Sequence, residues 1–393
     1  MLKEKFLEIF GGEEEGLRVF RAPGRVNLIG EHTDYNGGYV FPAALTKAST
    51  VVLRKRLDCF VHIRATDLAE EAVIDLSRIE NFKDLPYGNY QAGVMDEMHK
   101  AGYALFGMDM LFEDTVPHGS GLSSSAAIEV VTALAVYTLS REAGIGKEAS
   151  MADLAKIAQR AENQYIGVNC GIMDQFASAM GKKDMALLLN CKTLEYELVP
   201  AVMEGYCLVL SNTKKKHTLG ASKYNERRQE CDNAFAALSE VLPGKTCLGD
   251  ISPEEFEANK QAITNETEQK RAAHVIYEDA RVLAAVEALK KNDLVTFGQL
   301  LNASHDSLRD LYEVTGEELD TMVEEARKIE GVLGSRMTGA GFGGSTVSVV
   351  RTDMVDRFQK TVGENYTKRT GLVPEFYISE IGNGAEAVPF QAQ

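Results

Sequence analysis

No Cys-x-x-Cys pair occurs among the six cysteines (Cys59, Cys170, Cys191, Cys207, Cys231 and Cys247), and their scattered spacing signals neither a zinc site nor a disulfide framework. A reduced cytoplasmic setting is the expectation. No apolar run is long enough to span a bilayer, and Met1–Gly16 carries apolar residues at helical spacing (Leu2, Phe6, Ile9, Phe10) where a secretory signal would need an unbroken apolar core. Positive charge is in deficit, with 42 Lys and Arg against 58 Asp and Glu and a net charge of −16. Such a surface repels polyanions, so neither nucleic acid nor an anionic membrane is an expected partner. The one cationic run, Lys214-Lys215-Lys216-His217, reads as a solvated loop. Internal repeats and low-complexity tracts are also missing. What remains is a chain of 393 residues, 45% hydrophobic, long enough for two or three domains with real cores.

One turn stands out. Pro117–Ala127 (Pro-His-Gly-Ser-Gly-Leu-Ser-Ser-Ser-Ala-Ala) lies between the apolar stretch Met108–Phe112 and a long apolar helical run. Gly119 and Gly121 permit positive φ and close approach to a ligand, while Ser123, Ser124 and Ser125 offer hydroxyls and N-cap chemistry at the helix start. Free N–H groups at a helix N-terminus favour an anion, and a polyphosphate suits this composition. These residues alone equally admit a tight turn with an ordinary serine cap.

A second dense stretch, Gly24–Gly38, sets Arg25, Glu31, His32 and Asp34 among glycines. Such groups are costly to bury unless they meet a partner. Carboxylates accept hydrogen bonds from vicinal hydroxyls and His32 can do either, which is the profile of a polyol or sugar site. A metal site built from Glu31, His32 and Asp34 is the rival reading.

Pattern places both stretches. A strand over Leu17–Ala22 is punctuated by Pro23-Gly24, and Val40–Ala44, Ala48–Lys55, Cys59–Ala65 and Ala72–Leu76 read as further strands. Asn89–Ala101 is a helix with core methionines, and Ser125–Arg141 is apolar almost all round, the mark of a buried helix. Met151–Tyr165 is helical and closed by Gly167, with Glu162 in its last turn. A carboxylate there opposes the helix dipole, so it faces water or is compensated by a cation. Another helix starts within Asn169–Phe176 and runs to Met180, which puts Asp174 in its first turn, where the dipole keeps it ionised and able to serve as a base. Strands follow at Ala186–Asn190, Glu195–Val199, Cys207–Ser211, Ser345–Arg351 and Glu375–Glu380, with helices at Ser222–Leu238, Gln269–Lys290, Thr296–Tyr312, Glu317–Lys328 and Met354–Thr370. A domain boundary is expected near residue 190.

Two motifs mislead. Gly244-Lys245-Thr246 lacks the upstream glycine of a P-loop, and the glycines of Thr338–Thr346 fit a dinucleotide fingerprint but lead into a strand where a helix is required. The second is better read as a wall that lets two backbones close around a ligand.

Taken in order, Gly24–Gly38, Pro117–Ala127 and Thr338–Thr346 closely resemble the three signature motifs of the GHMP kinase superfamily, and the first block with Cys170–Phe176 resembles the galactokinases within it. The likeness spans nearly the whole chain. It implies an α/β (α+β) bilobal kinase fold, with a ribosomal-protein-S5-like N-terminal lobe (1–190) and a ferredoxin-like C-terminal lobe (191–393). It also implies magnesium- and ATP-dependent phosphorylation of D-galactose at the C1 hydroxyl by a monomer. Carried over by position, sugar recognition falls on Glu31, His32, Thr33, Asp34, Gly171, Asp174 and Tyr224. The ATP phosphates fall on Gly119, Ser120, Gly121, Leu122, Ser123, Ser124 and Ser125, Mg2+ on Ser125 and Glu162, and catalysis on Asp174 and Arg25. For adenine only Thr66 is suggested. Two alternatives stay open: a sister kinase of N-acetylgalactosamine or a related sugar, and a non-catalytic galactose/ATP sensor. The undeleted Ser123–Ala126 run and the presence of both Asp174 and Arg25 weigh against the sensor.

Overall fold

The structure is a computed structural model, and it describes residues 2–117, 119–215 and 220–389. Lys216 and His217 of the cationic run lie outside the described residues. The chain opens with α1 (Leu2–Phe10), β1 (Arg18–Asn27), β2 (Tyr39–Val40), β3 (Pro42–Lys55), β4 (Phe60–Ala65) and β5 (Ala72–Asp75). It continues through α2 (Asn89–Lys100), β6 (Met108–Asp114), α3 (Ser124–Glu142), α4 (Met151–Arg160), α5 (Met173–Met180), β7 (Met185–Asn190), β8 (Tyr196–Pro200) and β9 (Tyr206–Asn212). The second half holds α6 (Gly220–Ser239), α7 (Pro253–Asn259), α8 (Glu266–Lys290), α9 (Leu294–Ser307), α10 (Glu317–Arg327), β10 (Val332–Thr338), β11 (Ser345–Arg351), α11 (Val355–Thr370), β12 (Glu375–Ser379) and β13 (Glu386–Val388).

Three sheets result. The largest has the order β13-β1-β3-β6-β4-β5, the second β10-β11-β9-β12, and the third β2-β7-β8. One face of the large sheet packs α2, α3, α4 and α5 into a core that includes Phe20, Val51, Ile63, Met95, Met110, Val130, Leu154 and Phe176. A second core joins the two halves of the chain, bringing Leu28, Ile29 and Phe41 against Val282, Phe297 and Val347. That apolar seam fixes the loop after β1 against the second half, so polar groups at its edge hold a defined geometry.

Several boundaries move. Pro23-Gly24 does not end the first strand: β1 runs on to Asn27, with a register shift between Pro23 and Arg25. Proline has no N–H to donate, so the ladder bulges there instead of stopping. At Gly24 a Cβ would stand 2.5 Å from the Leu122 carbonyl oxygen. The absent side chain thus lets the serine turn dock on the strand, and the Arg25 N–H donates to that carbonyl at 3.1 Å. Val40 falls in β2, whereas Pro42–Ala44 belongs with Ala48–Lys55, since β3 is one strand. The strands β10 and β13 had no counterpart in the sequence reading. Lys214 and Lys215 are solvated as read, and each pairs with an acid, Glu375 and Glu318 respectively.

Candidate active site

A cavity of about 460 Å³ opens where β1, the loop after it, the turn into α3, α5, α6 and the β10–β11 turn converge. It is lined by Arg25, Glu31, His32, Asp34, Gly119 through Ser125, Glu162, Gly171, Asp174 and Tyr224. Residues from Arg25 to Gly343 are thus gathered at one site. Thr33 and Thr66 do not line it. The buried Thr33 hydroxyl lies between the Gly30 and Tyr39 carbonyls, at 2.9 and 2.6 Å, and braces the loop from behind.

Arg25 and Asp174 form the centre. Arg25 Nε and Nη2 each donate to one oxygen of Asp174 at 2.9 Å, a bidentate fork, while Nη1 donates to the Gly121 carbonyl at 2.8 Å. The Arg25 side chain is 4% exposed and that of Asp174 32%, so the carboxylate is the member that faces the cavity.

The serine turn departs from the expected cap. Ser123 occupies the N-cap position of α3 with φ +60°, and its side chain makes no capping bond. Its hydroxyl donates to Asp174 Oδ2 instead. Ser124 Oγ donates to Asp114 at 3.0 Å, and the Ser125 hydroxyl bonds Glu162. The α3 N-terminus therefore keeps free N–H groups beside the cavity, the arrangement that suits an anion.

Glu162 does not face water but is buried. The end of α4 widens into a π-helical turn over Ala161–Ile166, closed by Gly167 at φ +90°. Burial first and Asp174 second push the Glu162 carboxyl up to about 7. Asp174 has Arg25, whereas Glu162 lies beside a second buried carboxyl, Glu129, raised by burial and then by Glu162 itself, and such a pair is the chemistry a divalent ion relieves. Ser125 and Glu162 offer oxygen donors of the kind that could hold Mg2+. Among the described residues no group of three or more His, Cys, Asp or Glu side chains is placed to hold a metal by itself, which disposes of the Glu31–His32–Asp34 metal reading.

Those three residues instead build the opposite wall. Asp34 is pushed up to about 6, by burial and then by Asp174. Gly171 must be glycine here, because a Cβ would lie 1.9 Å from Asp34 Oδ2. His32 sits at φ +65°; its Nδ1 meets the Tyr35 hydroxyl at 2.8 Å and its Nε2 the Ala340 carbonyl at 3.2 Å. Burial holds it neutral, down to about 3, so Nε2 carries the proton and Nδ1 accepts from Tyr35. Glu31 accepts from Asn27 Nδ2 and from the Gly339 N–H, both at 2.9 Å, and from the fully buried Arg336. Tyr224 closes the wall, its ring 5.6 Å from that of His32.

The glycine-rich turn behaves as the sequence suggested. A Cβ on Gly339 would stand 3.0 Å from the Gly121 carbonyl, and Ser345 Oγ donates to the Ser120 carbonyl at 2.6 Å. The three motifs are thereby knitted into one rim. Sequence reasoning missed Arg336, Tyr35, Gln175 and Glu129, which hold the lining residues. A buried arginine or glutamine carries no local pattern to mark it.

The galactokinase galactose-binding signature matches residues 4–55, the GHMP kinase N-terminal domain 89–182 and the GHMP kinase C-terminal domain 285–368. The chain is 47% identical to the galactokinase of Clostridium beijerinckii over 99% of its length and 98% of that protein's. It is likewise 47% identical to the Bacillus subtilis galactokinase, over 98% and 97% of the two chains. The chain belongs to the galactokinase family. The crystal structure of Lactococcus lactis galactokinase complexed with galactose superposes with a TM-score of 0.94 at 42% identity, covering 98% of this chain and 99% of that one. The Methanococcus jannaschii mevalonate kinase, 17% identical with a TM-score of 0.65, shares the fold. Family membership agrees with the bilobal GHMP kinase fold, and with Gly24–Gly38 falling inside the galactose-binding signature.

Proposed function

We infer that the protein transfers the γ-phosphoryl group of ATP to the C1 hydroxyl of D-galactose, giving galactose 1-phosphate and ADP. The observation that carries this is the Asp174 carboxylate, forked to Arg25, bonded by Ser123 and facing the cavity between the phosphate turn and the sugar loop. Asp174 accepts the C1 hydroxyl proton or orients that hydroxyl for attack. Arg25 stabilises the charge that develops on the attacking oxygen. Phosphoryl transfer needs mainly positioning and charge neutralisation, and these two residues supply both on the acceptor side. The turn from Gly119 to Ser125 cradles the phosphates. Mg2+ held by Ser125 and Glu162 would neutralise phosphate charge.

Glu31, His32, Asp34, Gly171 and Tyr224 form the sugar wall, Asp34 reading vicinal hydroxyls as an acceptor. We place the lobe boundary near residue 190, with β8 after it and β13 returning to the N-terminal sheet. The enzyme is a cytoplasmic monomer in this reading, and six unpaired cysteines support the reduced setting. No described helix is long and apolar enough to cross a membrane.

A coupled ADP-release assay over a panel of sugars tests the assignment. Turnover with galactose that needs Mg2+ and stops with chelator is expected. Activity on N-acetylgalactosamine with none on galactose overturns the substrate, and binding of galactose and ATP without turnover of any sugar converts the reading to a sensor.

Two further results are expected at the sugar wall. Because the Asp34 carboxyl is raised to about 6, it is ionised above that pH and neutral below it, so its acceptor capacity is lost as pH falls. KM for galactose should rise as pH drops from 7 to 5, and Asp34→Asn should have a high KM with little of this dependence. A pH-independent KM in the native enzyme would remove Asp34 from the sugar contacts. Gly171→Ala drives a methyl into Asp34 and should reduce kcat/KM for galactose about 10- to 100-fold, an effect of displaced contact geometry. Unchanged kinetics would mean that the loop relaxes freely.

A further inference from the structure

Behind the cavity, Gln175 on α5 connects two buried carboxyl groups that belong to different helices. Its Nε2 donates to Glu129 Oε2 at 2.9 Å and to Glu162 Oε2 at 2.6 Å. Gln175 and Glu129 are fully buried, and neither lines the cavity. A carboxamide nitrogen has two hydrogens, and both are engaged here. With both acids ionised, the reverse orientation of the amide would set its oxygen against two carboxylate oxygens, which favours the end that faces them here.

Burying Glu129 in the second turn of α3 is expensive and does nothing for the apolar core around it. Its Oε1 and the Gln175 Oε1 have no hydrogen-bond partner among the described residues, so the cluster is not explained by local saturation of polar atoms. What it does achieve is directional. Glu162 projects from a π-helical turn, a widened and irregular segment, and its Oε2 is held by Gln175, with the Cys170 thiol more distant at 3.4 Å. Glu129 in turn holds Gln175 from α3, the helix that carries Ser125 at its first turn. Besides the direct bond between Ser125 and Glu162, the two residues assigned to Mg2+ are therefore tied through Glu129 and Gln175, independently of any ion.

We propose that Gln175 is a positioning residue for the metal carboxylate Glu162, and that Glu129 is the anchor that sets Gln175. The proposal rests on the kinase reading above and on Ser125 and Glu162 as the cation's ligands. Ligand carboxylates held by an outer hydrogen-bonding group lose about 10- to 100-fold in metal affinity when that group is removed.

The test is Mn2+ binding to the full chain in the presence of ADP, read by the electron paramagnetic resonance signal of free Mn2+. Gln175→Met keeps the volume and removes both donors. It should weaken Mn2+ binding about tenfold or more and raise KM for Mg-ATP in step, with KM for galactose unchanged. Glu129→Gln keeps an acceptor for the Gln175 N–H and should stay near native affinity, whereas Glu129→Leu should behave like Gln175→Met. Native Mn2+ affinity in a folded Gln175→Met protein overturns the proposal, as does loss of galactose affinity equal to that of Mn2+, which would mark a general packing defect. Glu162→Gln separates the two levels. If that variant binds Mn2+ normally, the ligand assignment itself is wrong; if it does not while Gln175→Met does, the positioning role alone fails.

Discussion

Asp174→Asn should lower kcat by about two to four orders of magnitude while leaving ATP affinity close to native. The asparagine amide has the shape of the carboxylate but only one acceptor oxygen. Turned to serve Ser123 and Arg25 Nη2, it presents its own N–H2 group to Arg25 Nε, so one arm of the fork is lost and two donors face each other. The remaining oxygen is neutral and fully engaged, with no capacity to take a proton from a bound hydroxyl. The asparagine oxygen still accepts from Ser123, so the Gly119–Ser125 turn keeps its place and nucleotide binding persists. Steady-state kinetics with a separate nucleotide titration read both quantities. Full activity would show that Asp174 is needed neither as a base nor to orient the hydroxyl.

The largest loss of stability should follow Arg336→Met. Arg336 is completely buried, pairs with Glu31, and donates to Ser304 Oγ at 3.2 Å and to the Asn27 and Leu28 carbonyls at 3.2 and 3.3 Å. Methionine fills much of the volume but leaves the Glu31 carboxylate and two carbonyls without their cation. Breaking a buried pair from one side costs about 3–5 kcal/mol, because the surviving charge stays buried. The midpoint of chemical denaturation should fall accordingly. The double variant Arg336→Met, Glu31→Gln should recover part of the loss, since the uncompensated charge is then gone. A single variant as stable as the native protein would mean that Glu31 is already neutral when folded.

These two residues mark the limits of sequence reading. Asp174 was legible because three signals coincide: an acid in the first turn of a helix, glycines just before it, and a motif that resembles a known family. The phosphate turn was legible for similar reasons, since glycine and serine announce backbone freedom and free N–H groups locally. The cap chemistry was misread because the preference of serine for N-caps is a local average, and a tertiary partner, Asp174, competes for the hydroxyl of Ser123. Whether Glu162 meets water was not legible from the residues for the complementary reason, as its burial comes from a π turn that no pattern at 3.6-residue spacing announces. Arg336 lies in a strand that went unrecognised, Val332–Thr338, where Gly334, Ser335 and Arg336 dilute the apolar alternation. Those polar residues are there because the strand borders a buried polar network, a property of the assembled fold.

The pairing of β13 with β1 has a bearing on how the molecule is made. Val19, Phe20 and Arg21 find their outer hydrogen-bonding partners in Val388, Ala387 and Glu386, and the Gly382 N–H donates to the Ala44 carbonyl. The strand that carries Arg25 into the cavity is therefore an open edge until residues near the far end of the sequence arrive. During synthesis the first sheet would wait for nearly the whole chain to emerge, with a bare edge available for mispairing in the interval. Contacts so distant in sequence also make closure of this sheet a slow step of refolding.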